Sequence, residues 1–257
     1  MYNRIKIFFR KINWFLKNYK VLYDSSEIVY GPLTYNTDGL ATRNNADFLK
    51  DEKFIKAYSK SNNTKSWEGF DIRWRAYIAY SFADLVKNLD GDFVECGVNK
   101  GGLSIGIIDY INFNQLNKTF YLLDTFQGYD EKFLSADEKN LGLKEQYSMY
   151  VDCYDDVVNT FKEHPVKIIK GSVPETLTQC DTNKIAYLSI DMNCVLPEIE
   201  AIKYFWDKIT IGGVIVLDDY GFPNHINQKD AHDELAKVLG YNIISLPTGQ
   251  GIIIKNK

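Results

Sequence analysis

From about residue 90 onward, short apolar runs alternate with stretches of helical spacing. The runs at 93–98, 120–124, 166–169, 185–190 and 214–217 read as strands. Helices are predicted from about residue 103, near 149–163, at 197–208 and at 227–239. Strand–helix alternation of this kind predicts a mostly parallel sheet with helices on both faces. Two last runs, 241–246 and 251–255, are split by Pro247-Thr248-Gly249-Gln250 and predict a hairpin whose final strand is antiparallel to its neighbour. Upstream, Phe70, Trp74, Tyr77, Ile78, Phe82, Leu85, Val86 and Leu89 are mostly three or four apart, which predicts a long amphipathic helix over 67–89. A shorter helix is predicted at about 46–58. Helical spacing also runs through Ile5, Phe8, Ile12, Phe15, Tyr19 and Leu22, with Lys6, Arg10, Asn13, Lys17 and Lys20 on the other face.

Three segments follow from this pattern. Residues 1–23 form a basic amphipathic helix, residues 24–65 a polar N-terminal segment lying over the site or an oligomer interface, and residues 66–257 the α/β domain. The 257 residues are 45% hydrophobic and 25% charged, ordinary globular usage that excludes disordered and fibrous classes. The net charge is −4, so no nucleic-acid-binding footprint is expected. Residues 1–23 carry six basic and no acidic side chains, leaving 24 basic against 34 acidic, formally −10, for the rest. That helix suits either an anionic membrane surface or packing against the body of the protein or a second subunit. A homo-oligomer is expected. No stretch reads as a signal peptide or reaches the ~18 apolar residues of a membrane span. Cys96, Cys153, Cys180 and Cys194 have no zinc-like spacing, and a reduced cytoplasmic protein, at most peripheral at the inner membrane face, is expected.

Ligands of open parallel sheets bind at the carboxyl ends of the strands, so the residues just after each run carry the chemistry. The first strand leads into Glu95-Cys96-Gly97-Val98-Asn99-Lys100-Gly101-Gly102, a tight turn that lets a ligand approach the backbone and opens a helix with free N–H groups. It is not GxGxxG, and the acid at Glu95 suits a ligand with an ammonium and a carboxylate better than a diphosphate. The second strand ends at Asp124-Thr125-Phe126, where a carboxylate can accept both hydroxyls of a ribose or cap a turn. The third ends at Gly171-Ser172, room for an adenine. The next two end in Asp191 and in Asp218-Asp219. Three acids at adjacent strand tips repel one another unless a cation or hydrogen-bond donors neutralise them, and a hard-oxygen set without Cys or His suggests magnesium. Capping of the following helix is the plainer role for Asp218 and Asp219.

Four motifs together resemble the macrocin O-methyltransferase (TylF/MycF-like) family of class I S-adenosylmethionine-dependent enzymes. They are Gly91-Asp92-Phe93-Val94-Glu95-Cys96-Gly97-Val98, Leu123-Asp124-Thr125-Phe126-Gln127-Gly128, Gly171-Ser172-Val173-Pro174-Glu175-Thr176-Leu177 and Val216-Leu217-Asp218-Asp219-Tyr220-Gly221. The resemblance covers roughly residues 40–255. It implies a Rossmann-like seven-stranded class I methyltransferase sheet and a cofactor site of Glu95, Gly97, Val98, Gly101, Asp124, Thr125, Phe126, Gly171, Ser172 and Asp191. It also implies Mg2+ on Asp191, Asp218 and Asp219, with Asp191 catalytic, and an acceptor that is a sugar or glycan-like small molecule.

One position departs from the family. Relatives that methylate antibiotic sugars have an aspartate, taken as the general base, where this chain has Asn193, and an amide cannot accept a proton at neutral pH. His225, on the loop after Asp219, is the replacement candidate, and solvent acting on a metal-acidified hydroxyl is its rival. Gln250 is a weaker pocket candidate, and His164 and His232 read as structural. The loop 127–147, with Gly128 and Gly142 as hinges, is a candidate lid. A metal-dependent nucleotide-sugar glycosyltransferase and a non-catalytic cofactor- or glycan-binding member are the competing functions.

Overall fold

The computed structural model describes residues 33–67, 69–140 and 151–257. The basic N-terminal helix and most of the far half of the lid segment therefore lie outside the described residues. The chain divides into two compact units, residues 1–36 with 40–46, and residues 37–39 with 47–257. In the first lies most of a two-stranded ribbon, β1 (Tyr35–Thr37) and β2 (Leu40–Thr42), with Thr34 N–H donating to Thr42 O at 3.0 Å. The ribbon's tip, Thr37–Gly39, belongs to the second unit.

The second unit holds the α/β body. Its helices are α1 (Glu52–Asn63), α2 (Arg73–Val86), α3 (Gly102–Ile111), α4 (Ala136–Asn140), α5 (Tyr154–Phe161), α6 (Val195–Phe205) and α7 (Ile226–Leu239). Its strands are β3 (Asp92–Cys96), β4 (Phe120–Asp124), β5 (Val166–Lys170), β6 (Ile185–Ile190), β7 (Ile209–Leu217), β8 (Ile244–Ser245) and β9 (Gly251–Ile254). They form one seven-stranded sheet in the order β5-β4-β3-β6-β7-β9-β8. The first five are parallel, β9 runs antiparallel to β7, and β8 pairs antiparallel with β9. Successive residues point to opposite faces: Phe93, Phe120 and Val214 enter a core shared with α1, α2 and α3, while Val94, Tyr121 and Ile215 enter the core under α6 and α7. Burial on both faces is why these strands read as continuous apolar runs.

Local chemistry explains where the elements stop and start. Asp51 caps α1 by accepting from Lys53 N at 2.7 Å and Phe54 N at 3.3 Å, so that helix begins later than its apolar spacing predicts. Its buried Phe54, Ala57 and Tyr58 belong to the main core, not to a separate N-terminal segment. The helix predicted over 67–89 starts only at Arg73, after Gly69 at φ +89° has broken the spacing. Strand β3 ends two residues early because Gly97 turns at φ +89°.

The register aligns the strand tips. Cys96 pairs with Leu123 and Ile190, Asp124 with Lys170, and Ile190 with Leu217. Backbone bonds continue past the last residues: Gly97 N to Leu123 O and Asp191 N to Cys96 O, each 2.9 Å, Gly171 N to Asp124 O at 2.8 Å, and Asp218 N to Ile190 O at 3.0 Å. Five chain segments distant in sequence thus leave the same edge of the sheet side by side.

Candidate active site at the carboxyl edge of the sheet

A cavity of about 510 Å3 opens along this edge, a size typical of small-molecule sites. Every residue proposed for the site lines it except Gly101, His225 and the weaker candidate Gln250. Gly101 sits behind the turn at φ +80° as the N-cap of α3. A Cβ at Gly97 would come within 1.8 Å of Asp191 O, so only glycine lets the β3 turn lie against the β6 tip.

On the β3–β4 side the carboxylates are satisfied close by in sequence. Asp124 Oδ2 accepts from Val98 N at 2.6 Å and Asn99 N at 2.8 Å, and Oδ1 from Phe126 N at 2.6 Å and Thr125 Oγ1 at 3.3 Å. The residue read as a ribose acceptor therefore also clamps the glycine turn to the tip of β4. Burial raises its carboxyl above the ordinary value and the backbone N–H groups oppose that rise. Glu95 is buried, accepts from Ser104 Oγ, and is pushed up to about 8, chiefly by loss of solvent. Beside Gly171, the Ser172 hydroxyl donates to Asp130 Oδ2 at 2.7 Å. Glu95, Asp124 and the glycine turn in one cavity fit a nucleoside carrying an amino-acid end.

On the β6–β7 side three acids crowd together. Asp191 is raised well above the ordinary carboxylate value by burial and by Asp218 and Asp219. Asp219 is pushed up to about 7 by burial and by Asp218, with His225 pulling the other way. Its buried Oδ2 has no hydrogen-bond partner and lies 4.0 Å from His225 Nδ1. His225 stands behind Asp219, outside the cavity wall. Its Nδ1 lies 2.5 Å from Gln228 Oε1, and because Gln228 Nε2 donates to Glu198 Oε1 at 3.0 Å, that Oε1 is the accepting end. Nδ1 therefore carries the hydrogen. His232 bonds the other oxygen of Glu198 at 2.9 Å, the structural role read for it.

Asp218 is not available in the way a magnesium ligand needs to be. Arg75 Nη1 donates to its Oδ2 at 2.5 Å and Gln250 Nε2 to its Oδ1 at 3.1 Å. Arg75 also forks onto Asp38, Nε to Oδ2 at 2.6 Å and Nη2 to Oδ1 at 3.0 Å. Among the described residues, no group of three or more His, Cys, Asp or Glu side chains is arranged to hold a metal ion. The donor set as it stands does not fit Mg2+ on Asp191, Asp218 and Asp219. Gln250 is a partner of that acid, not a cavity-lining group.

The sequence reading missed Arg75 and Asp38. A signal for Arg75 exists: α2 opens with Arg73 and Arg75 and no acid in its first turn, where the helix dipole disfavours cations. With the helix start placed at residue 67, that signal was hidden. All four cysteines are buried and unpaired. No described helix is long and apolar enough to cross a membrane.

The order and directions of the seven strands define a class I methyltransferase fold. The profile of the macrocin-O-methyltransferase (TylF) family matches residues 81–238, and the chain belongs to that family. It is similar to demethyldecarbamoylnovobiocin O-methyltransferase of Streptomyces niveus, 23% identical over 142 residues, covering 52% of this chain and 54% of that protein. It also resembles 8-demethyl-8-(2,3-dimethoxy-alpha-L-rhamnosyl)-tetracenomycin-C 4'-O-methyltransferase of Streptomyces olivaceus, 23% identical over 146 residues, covering 53% and 55%. The chain thus spans about half the length of the curated relatives it matches. Among solved structures, the O-methyltransferase NovP superposes with a TM-score of 0.63 at 21% identity over 71% of this chain and 80% of that one, a likeness of fold.

Proposed function

We propose that this chain is an S-adenosylmethionine-dependent O-methyltransferase acting on a hydroxyl of a sugar or glycan-like small molecule. The observation that carries the reading is a single cavity joining the glycine turn, Glu95 and Asp124 at one end to the buried acids of β6 and β7 at the other. Family membership supports it, and the rhamnosyl substrate in one relative's name supports the sugar class.

Bound there, S-adenosylmethionine supplies an electrophilic methyl group. The Gly97 turn and Glu95 would hold its amino-acid end, Asp124 a ribose hydroxyl, and Gly171 with Ser172 the border of the adenine. Asp124 accepts three backbone N–H bonds already, so a ribose hydroxyl takes a remaining lone pair or displaces the weak Thr125 contact. At the other end Asp219 is the group suited to receive the acceptor's proton, since it lines the cavity and has a pKa near neutrality, its buried Oδ2 lying toward His225. His225 supports it from behind. Asn193 donates to Asp191 Oδ1 at 3.0 Å and so orients a neighbour of the reacting hydroxyl without taking its proton. A divalent cation on Asp191, Asp218 and Asp219 would require Asp218 to leave Arg75 and Gln250, so no step here depends on one.

Calorimetry of the full chain with S-adenosylmethionine, S-adenosylhomocysteine and UDP-sugars tests the reading. Saturable binding of the first two with no UDP-sugar binding is expected. Binding of UDP-sugars alone would move the protein to the glycosyltransferase class.

A further inference from the structure

We propose that the guanidinium of Arg75 takes the place of a divalent cation beside Asp218, so that this carboxylate is held and charge-compensated by the protein's own chain. The proposal deepens the methyl-transfer reading of the same cavity and rests on it. Arg75 is a positioning residue, presented by the first turn of α2 to a strand tip 143 positions away in the sequence.

The arrangement is built from several sides. Arg75 uses three N–H groups on two carboxylates, Asp218 and Asp38, and its side chain is only 15% exposed. The Phe222 ring centroid lies 5.1 Å from its guanidinium carbon. Gln250 occupies the second Asp218 oxygen and also donates to Arg75 O at 3.4 Å. A guanidinium cannot be deprotonated in a protein, so its charge is permanent. A hard cation needs several carboxylate oxygens open toward it, and here only Asp191 and Asp219 remain. One oxygen of Asp191 already accepts from Asn193. A metal binding at Asp218 Oδ2 would compete with the Arg75 Nη1 bond and bring a second cation against a buried arginine that Asp38, 10% exposed, holds in place by two further bonds. A guanidinium also only donates hydrogen bonds, so it balances charge without coordinating a substrate oxygen. Proton removal then falls to a protein group, and Asp219 lines the cavity without an arginine on it.

The probe is Mn2+, an EPR-visible stand-in for magnesium, titrated into the full chain with and without S-adenosylhomocysteine. Wild type is expected to show no stoichiometric site at submillimolar Mn2+. Arg75→Met is expected to gain one, at least about tenfold tighter, and to lose it again when Asp218→Asn is added. Arg75→Lys keeps the charge and should bind Mn2+ as poorly as wild type. A stoichiometric submillimolar site in wild type that disappears in Asp218→Asn overturns the proposal, whether or not Arg75→Met folds. So does a folded Arg75→Met, judged by circular dichroism and melting, that gains no site. Binding of S-adenosylhomocysteine is read separately: its absence defeats the methyl-transfer reading and leaves the Mn2+ comparison intact.

Discussion

On the β3–β4 side of the cavity, Asp124 is met by backbone N–H groups no more than 26 positions away. On the β6–β7 side, Asp218 is met by side chains 143 and 32 positions away. Both are carboxylates at the carboxyl end of a parallel strand, Asp124 its last residue and Asp218 the one after. Backbone donors come with the turn itself, so the first side is fixed once the turn folds. Side-chain donors arrive only when α2 and the C-terminal strands have packed, so the second side depends on the whole body. The first also keeps lone pairs to share with a ligand, whereas the second leaves Asp219 with a buried Oδ2 that accepts no hydrogen bond and lies 4.0 Å from His225 Nδ1. In the proposed function, binding belongs to the first side and proton transfer to the second.

The strongest way to break this division is at the turn. Asp124→Ala removes the acceptor of three backbone N–H groups and is expected to lower stability by about 3 kcal/mol or more. Affinity for S-adenosylhomocysteine should fall with it. Denaturant unfolding and calorimetry check both, and an unchanged affinity in a folded variant would remove the ribose assignment.

Asp219→Asn should act on the other side alone. The amide keeps the shape and cannot take a proton, so the single-turnover rate with a sugar acceptor is expected to fall by ~100-fold or more while cofactor affinity stays put. The sign of the pH effect follows from the raised carboxyl: below about 7 it is protonated and cannot accept, above it is ionised and can. The wild-type rate should therefore rise with pH through about 7, and the variant's profile should lack that limb. An Asp219→Asn enzyme with the wild-type profile would shift the base elsewhere.

Glu95→Gln should leave the strand tips in place and reads pH from the opposite direction. Glu95 has a folded pKa of about 8 against an ordinary 4.5, because burial penalises its charge. A raised carboxyl contributes stability that is fully present below about 4.5 and is lost as pH climbs through about 8. The neutral glutamine escapes that loss, so the variant should gain on wild type steadily as pH rises across this window. Melting temperatures of the pair over the same pH range measure it, and parallel curves would show that Glu95 titrates normally.

The same contrast explains what could be read without a structure. The sheet, its closing hairpin and the strand-tip residues were legible because apolar runs and the residues that follow them are local signals. Glu95, Asp124, Asp191, Asp218 and Asp219 do meet in one cavity, as that pattern implied. Arg75 is marked only by an acid-free first turn that carries two arginines, and neither it nor Asp38 has a local signal that points to a strand tip far along the chain. His225 follows Asp219 closely in the chain, which implies proximity but not its place outside the cavity wall, because chain order gives proximity without depth. The helix starts at Glu52 and Arg73 were placed early because apolar spacing continues past the cap at Asp51 and the turn at Gly69.

A crystal structure of the full chain with S-adenosylhomocysteine tests the division of the cavity most directly. The account expects the amino-acid end against Glu95 and the Gly97 turn, a ribose hydroxyl within hydrogen-bond distance of Asp124, and the sulfur facing Asp219. Density for the nucleoside among Asp191, Asp218 and Asp219, or outside the cavity, would contradict it.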